Sequence, residues 1–479
     1  MNGREYIRRI ADRIVAAQRP IKILKAINWD ESVHRRFFAR NATQMPRVVY
    51  APLPYEPEKK IAELEEIRKE ISGANPLEDL LRRKCDEFID VVQMLQARGT
   101  KRFNEISIKL YGRADDGFVD EAVDNLAIAR LWASRPPSKH EVFDIPSHEA
   151  VERIRAIVEA HLGRRCRIKE SDRITSNAAA GATTIAIKKG EWFSDSKVRA
   201  LAHHEGLWHV LTSLNGYRQP NLTCLGIGLP RFTECQEGGA ILAEYLTGSI
   251  TNNRFIELGE RTIGIDMAQR GANYLQVYNY LIMRFSPQKA ASMCERVFRG
   301  GDLEGGAPFT KDATYQRGYC KTFNFFRTIL LKDDTDSLRA FLCGKMHVDD
   351  VPLVKELMRE GIVVGPTFVP AWYRDMDHID AMFTHSATMN RFDVQKVAAH
   401  YETRESAMKA FQTAPMIDPE TLPITKPPAR AEKKFADVVP ITEGKKSDKS
   451  DRAEKDKAEK SEKSERGDKS ERGTGSEEE

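Results

Sequence analysis

Within one apolar helical run the chain places His203-His204-Glu205-Gly206-Leu207-Trp208-His209, so that two candidate ligands, His204 and His209, stand five residues apart. This spacing constrains the fold more than any other feature. At ~100° per residue an ideal helix would leave the two rings ~140° away from a shared direction. The four-residue partner of His204 is Trp208, which cannot ligate. A bulge of one extra residue would bring His204 and His209 together, and Gly206 between them tolerates unusual backbone angles. The plain alternative is a pair of helix histidines serving as caps or core groups.

The surrounding pattern places this run after a strand. Arg167-Ile168-Lys169 and Thr183-Thr184-Ile185-Ala186-Ile187 are short and β-branched, and predict a small sheet between Cys166 and Trp192. Ser194 or Asp195 then caps a helix carrying Val198, Leu201, Ala202, the histidines, Val210 and Leu211, with a stop at Asn215-Gly216. Thr233 with Gln236 has capping-box spacing, which puts Glu237 in the first turns of a second helix through Ile241, Leu242, Tyr245 and Leu246.

Apolar residues recur at helical period through most of the remaining chain, as in Tyr6, Ile7, Ile10 and Ile14, or Leu80, Leu81, Phe88, Val91, Val92 and Leu95. Extended Pro46–Pro54 separates two such helices. Further helices are expected near 117–133, 147–162, 266–284, 287–299, 314–331 and 349–359, with less regular helix to about 413. The expectation is an α+β, predominantly helical protein with a small sheet beside the histidine helix. Its organisation is read as an amino-terminal helical region over 1–140, a catalytic domain over 141–425 and a tail over 426–479. From Lys445 to the end, 11 basic and 12 acidic residues share 35 positions with no apolar side chain larger than Ala, so the tail is expected to be disordered.

Composition excludes several partners. The 75 Lys and Arg nearly balance 71 Asp and Glu, giving +4, so charge calls for neither nucleic acid nor an anionic membrane. No stretch reaches ~18 consecutive apolar residues, and Met1–Gln18 lacks the apolar core of a signal peptide. Seven scattered cysteines without a CxxC pair favour reduced thiols and a cytoplasmic location.

Two imidazoles, an adjacent carboxylate and a later glutamate are the parts of a zinc-hydrolase site. Glu205 stands where a general base sharing a metal-bound water is needed. For the third ligand the field is Glu234, Glu237 and Glu244, with Glu237 favoured. Glu237 and Glu244, seven apart, share a helix face, so one can bind metal while the other supports a histidine. Cys235 nearby is a further zinc-binding side chain, and His203 is read as a supporting or core group.

In order along the chain, His-Glu-x-x-x-His, Asn215-Gly216 with Gln219, Gly228-Leu229-Pro230, Gln236-Glu237-Gly238-Gly239-Ala240 and Phe309-Thr310-Lys311-Asp312-x-x-Tyr315-x-x-Gly318 resemble the tyrosine carboxypeptidase family. That family includes the microtubule-associated tyrosine carboxypeptidases and bacterial proteins named for a QEGLA motif. The resemblance runs from about 5 to 400 and takes in Arg98-Gly99-Thr100 and Leu110-Tyr111-Gly112. It implies a zinc carboxypeptidase with one Zn²⁺ per chain held by His204, His209 and Glu237, with Glu205 as catalyst. The implied substrate is a peptide or protein C-terminus, ending in tyrosine or another aromatic residue. A carboxypeptidase needs a cation for the terminal carboxylate, for which Lys311, Arg317 and Arg327 are candidates and Arg231 an outlying one, with Tyr315 as a donor to an oxyanion. Two departures are visible: Gly239 stands where the family usually has Leu, and Trp208 where it often has a small residue. A regulatory or scaffold protein with a structural zinc is the competing reading, and Glu205, useless to a structural site, argues against it.

Overall fold

Helix caps and apolar stripes explain most of the architecture. In the computed structural model, which describes residues 3–118, 123–174 and 176–413, helix dominates at 64% and the strands are few and short. The amino-terminal helices Gly3–Gln18, Ile23–Ile27, Glu31–Ala39, Pro57–Lys69, Pro76–Gln96 and Lys101–Tyr111 lead the order. Pro76–Gln96 shows how they are specified: Asn75 accepts from the Glu78 N–H at 3.0 Å, Pro76 occupies the first turn, and Leu77, Leu81, Phe88, Val92 and Leu95 form the buried stripe.

These helices have no core of their own. Ile10, Leu81, Phe88 and Val92 belong to one apolar cluster with Leu229, Phe232, Phe326 and Phe341, so the region before 140 and the region after it are packed as one body. Met1–Val394 forms one compact unit; the described part of the second, which begins at Gln395, is helical and belongs to the Val394–Thr413 helix. The charged tail beyond 413 lies outside the described residues.

Five strands stand beside the site: β1 (Ile145–Pro146), β2 (Arg167–Ser171), β3 (Ala178–Ala180), β4 (Thr184–Lys188) and β5 (Trp192–Phe193). β4 is central, parallel to β2 and antiparallel to β3, while β1 pairs with β5. Ile185 and Ile187 point from β4 into a second cluster with Val158, Leu207 and Val210, which seats the histidine helix against Ser147–Leu162 and the sheet.

Three boundaries differ from the sequence reading. The second site helix begins at Pro230 rather than at a Thr233 cap; Thr233 lies in its first turn and its hydroxyl donates back to the Leu229 carbonyl at 3.1 Å. Proline at the first helical position outweighed the capping-box spacing. The stretch 266–284 is divided between Asn252–Gln269 and Tyr274–Leu281, because Gly271 adopts a φ of 101° and Asn273 caps the second helix in a reciprocal box with Gln276. Near 117–133 the helix is Asn125–Ala133, capped by Asp124, and residues 119–122 of the expected span lie outside the described residues.

The Pro230–Leu246 and Ala313–Leu330 helices cross at two glycines. A Cβ on Gly238 would fall 2.1 Å from the Gly318 carbonyl, and one on Gly318 would fall 1.9 Å from the Glu234 carbonyl oxygen. Replacing Gly by Ala inside a helix ordinarily gains ~1 kcal/mol, whereas forcing a methyl into packed backbone costs ~1–3 kcal/mol or more. Gly238→Ala and Gly318→Ala are each expected to destabilise the protein, read as a lower denaturation midpoint in urea; an unchanged or raised midpoint would show that the crossing is not tight.

Candidate metal centre

Ser194 caps the histidine helix, accepting from the Lys197 N–H at 3.1 Å. After Asp195–Leu201 the winding widens into a π-helix over Ala202–Val210 before α-helix resumes through Leu211–Tyr217. With i→i+5 hydrogen bonding, residues five apart come round to the same side, and the His204 and His209 rings stand 4.9 Å apart between centroids. The expected single bulge is thus a nine-residue widened segment. Gly206 has a packing role as well, since a Cβ there would lie 2.4 Å from Val158.

Glu237 enters from the facing helix. Its Oε2 lies 3.6 Å from His204 Nε2 and 3.4 Å from His209 Nε2, and the three ligand atoms lie within 4.8 Å of one another. Zinc–ligand bonds of ~2.0–2.1 Å in a tetrahedron separate two ligand atoms by ~3.3 Å, so the Glu237 distances fit such an ion. Among the described residues this is the one group of His, Cys, Asp or Glu so arranged. Three protein ligands of the His₂Glu type leave one coordination position open, as catalytic sites do.

The supporting contacts orient this set. His204 Nδ1 lies 2.7 Å from Glu244 Oε1, which turns Nε2 toward Glu237, and Arg254 holds the Glu244 carboxylate at 3.2 and 3.3 Å. Burial disfavours charge on Glu244, but Arg254 and His204 hold its pKa down to about 2. Burial likewise opposes charge on His204, yet its bonds to Glu237 and Glu244 raise it to about 9. The carboxylate field that favours a proton on His204 would equally favour a cation between the same groups. Glu237 stays well below the usual carboxylate range despite burial, because Lys311 and the imidazoles face it.

Lys311 Nζ donates to Glu237 Oε1 at 2.8 Å and lies 3.2 Å from the Tyr315 hydroxyl. His204, Glu205, His209, Glu237, Lys311 and Tyr315 all line a cavity of about 730 Å³. The structure therefore gathers Lys311 and Tyr315 but not Arg317. Arg317 points away, to Glu234 at 2.8 Å and to the carbonyls of Tyr111 and Arg113, so its substrate assignment is corrected to a structural one. Glu234 is occupied by Arg317, by Lys321 at 3.0 Å and by His347 at 3.7 Å, which removes it as an alternative ligand. Arg231 is paired with Asp350, Arg327 is not part of the cavity wall, and burial pushes the Cys235 thiol up to about 12. His203 belongs neither to the metal-capable group nor to the cavity wall, and burial lowers its pKa to about 4.

Asn215 and Gln219 prove to be fasteners. The Asn215 amide donates to Leu342 and Phe368 carbonyls and accepts from the Phe368 N–H, and Gln219 does the same for Cys343 and Val364. Side chains that the sequence reading missed are Lys197, Arg254, Arg296, Arg299 and Lys345. Burial brings Lys345 down to about 8, with Glu237 and Glu205 the carboxylates acting on it. Only Lys197 carried a signal, standing seven residues before His204 on one helix face.

A family model for microtubule-associated tyrosine carboxypeptidase matches residues 35–391. The chain belongs to that family. The matched span contains every member of the metal-capable set, the Glu244–Arg254 support and Lys311 with Tyr315. No curated protein matches the chain. A solved structure titled "The crystal structure of the putative lipoprotein from Colwellia psychrerythraea" aligns at 11% identity and a TM-score of 0.37, over 63% of this chain and 66% of that one. This chain spans just under two thirds of that protein's length.

The two departures from the tyrosine carboxypeptidase pattern belong together. A Cβ on Gly239 would fall 1.9 Å from Trp208 Cζ2: the indole occupies the volume that a larger residue at 239 would need. Trp208 is 1% exposed and packs on Phe341 with ring centroids 5.8 Å apart. Gly239→Leu is expected to unfold or strongly destabilise the protein, while Gly239→Leu with Trp208→Ala regains most of the loss; a coupling energy near zero in that cycle, measured by chemical denaturation, would refute the compensation.

Proposed function

We propose that the protein is a zinc-dependent metallopeptidase that removes the C-terminal residue of a peptide or protein. The family supports carboxypeptidase-type activity. The observation that carries the zinc reading is the placement of Glu237 Oε2 at 3.4 and 3.6 Å from two Nε2 atoms, with Glu244 behind one of them. Zinc held by His204, His209 and Glu237 would acidify a water and polarise the scissile carbonyl.

The chain's own residues supply the remaining steps. Glu205, adjacent to His204 and lining the cavity, takes the proton of the attacking water and delivers it to the leaving amine. The Tyr315 hydroxyl and the Lys311 ammonium donate to the oxyanion of the tetrahedral intermediate, with Lys311 kept cationic by Glu237. Burial of His204 and Glu205 keeps bulk water from competing for these bonds. The seven cysteines are free, in keeping with a cytoplasmic protein, and no helix of the described residues is long and apolar enough to cross a membrane.

Purified protein is expected to carry one zinc per chain by mass spectrometry and to shorten peptides by a single C-terminal residue. Glu205→Gln should keep zinc and fold while losing turnover by at least about 10²-fold, the lower end for a positioned acid–base group. Loss of zinc in Glu205→Gln would contradict its role as proton carrier. Glu237→Ala should lose zinc, and Glu244→Gln should weaken zinc affinity by about 10–100-fold in a chelator competition, because it orients a ligand without being one. Zinc affinity unchanged in Glu244→Gln would show that the carboxylate does not set the pose of His204.

A further inference from the structure

The loop over residues 134–144, between the Asn125–Ala133 helix and β1, is fastened by polar contacts to two helices that line the cavity. On one of them the Asn253 side chain is wholly committed to the loop. Its Oδ1 accepts from the Ser138 N–H at 3.0 Å and its Nδ2 donates to Glu141 Oε2 at 2.6 Å, while the neighbouring Asn252 amide donates to the Pro136 carbonyl at 3.3 Å. On the other, Glu141 Oε1 accepts from Ser194 Oγ at 2.8 Å and from Ser196 Oγ at 3.1 Å. One carboxylate thus joins the start of the histidine helix to the start of the Asn252–Gln269 helix.

Both of those starts are positive ends. The free N–H groups of a first helical turn together carry about half an elementary charge. Lys197 in one of these turns and Arg254 in the other add to it, and Arg254 acts on Lys197. Glu244 and Glu257 answer these cations from within the cavity, and Glu141 is the carboxylate at the two ends themselves. Without its charge, the ends would be bridged by neutral hydroxyl and amide groups alone.

The contacts close a circuit through the metal-capable group. Ser194 leads along its own helix to His204, ten residues on. His204 Nδ1 meets Glu244, Arg254 holds Glu244, Arg254 follows Asn253 in the chain, and Asn253 returns through Glu141 to Ser194; every hydrogen bond in this path is 3.3 Å or shorter. A long side chain such as Arg254 holds both oxygens of a carboxylate only from a fixed starting point. Here the Asn253–Glu141 contact sets that point.

We propose that Glu141 is a positioning residue for His204: by tying the two helix starts together it places Arg254, through Arg254 the Glu244 carboxylate, and through Glu244 the imidazole that turns Nε2 toward a metal ion. Glu141 is no member of the metal-capable group itself. The inference rests on the zinc reading of that group.

The test is zinc affinity of the full-length protein by chelator competition, beside the urea denaturation midpoint of the metal-free form. Glu141→Gln keeps the shape of the side chain and removes its charge. Zinc should then bind about tenfold more weakly, the lower end for a group that orients a ligand from outside the coordination sphere. In a Glu244→Gln background the same change should have an effect near unity, because the path to His204 is already cut. Asn253→Ala releases the other end while leaving Glu141 on the serines; it should reproduce the loss, and the two changes together should be no worse than either alone. Glu141→Asp keeps the charge and should retain more affinity than Glu141→Gln, which guards against a general loss of fold. A brace with no part in positioning would lower the metal-free midpoint and leave zinc affinity as it was. That result overturns the proposal, as does an undiminished effect in the Glu244→Gln background. Wild-type protein that takes up no zinc refutes the metal reading and this role with it, an outcome distinct from zinc that binds tightly and ignores Glu141.

Discussion

The widened winding between Ala202 and Val210 has poorer backbone geometry than an α-helix, and the packing that offsets this also decides where the neighbouring elements lie. Leu207 and Val210 are pressed into the cluster beneath β4, Gly206 admits Val158, and Trp208 turns toward Phe341 on the other side. Each of these contacts holds the same segment from a different direction. The result is that two imidazoles five residues apart converge, and a carboxylate from a second helix can meet both.

Around that convergence the structure stacks charge in alternating layers. Arg254 holds Glu244, Glu244 holds His204, His204 and Lys311 face Glu237, and Tyr315 caps Lys311. Each ion in this series faces one of opposite sign, which is the condition for keeping such groups out of water. Such networks fix geometry more than they add stability. A ligand oriented by a salt bridge on its far side has little freedom to swing toward a competing partner.

How much of this was legible beforehand follows from the kind of information each feature needs. The distorted histidine helix was readable because spacing is local: five residues with Trp208 in the fourth place leave an undistorted helix no way to pair the imidazoles. Glu237 and Glu244 were readable as a face-sharing pair for the same reason. The true role of Arg317 was not readable, because helix position says nothing about Glu234 and the Tyr111 carbonyl arriving from distant parts of the chain. The cavity's arginines were hidden likewise: Arg254, Arg296 and Arg299 come from two helices, or just past the end of one, and are ordinary surface-type residues until tertiary packing encloses them. The capping-box signal at Thr233 failed because Pro230 offered an earlier start that the following contacts reinforced.

The glycine crossing between Pro230–Leu246 and Ala313–Leu330 has a mechanical meaning. With backbone meeting backbone at Gly238 and Gly318, the two helices have no side-chain cushion through which to slide. Glu237 sits beside that contact on one helix, Tyr315 one turn before it on the other, and Lys311 just ahead of the latter. Glu237, Lys311 and Tyr315 therefore behave as one rigid jaw. Any breathing of the cleft falls to the opposite jaw, the short strands β3 and β5, whose few ladder bonds make them the compliant side.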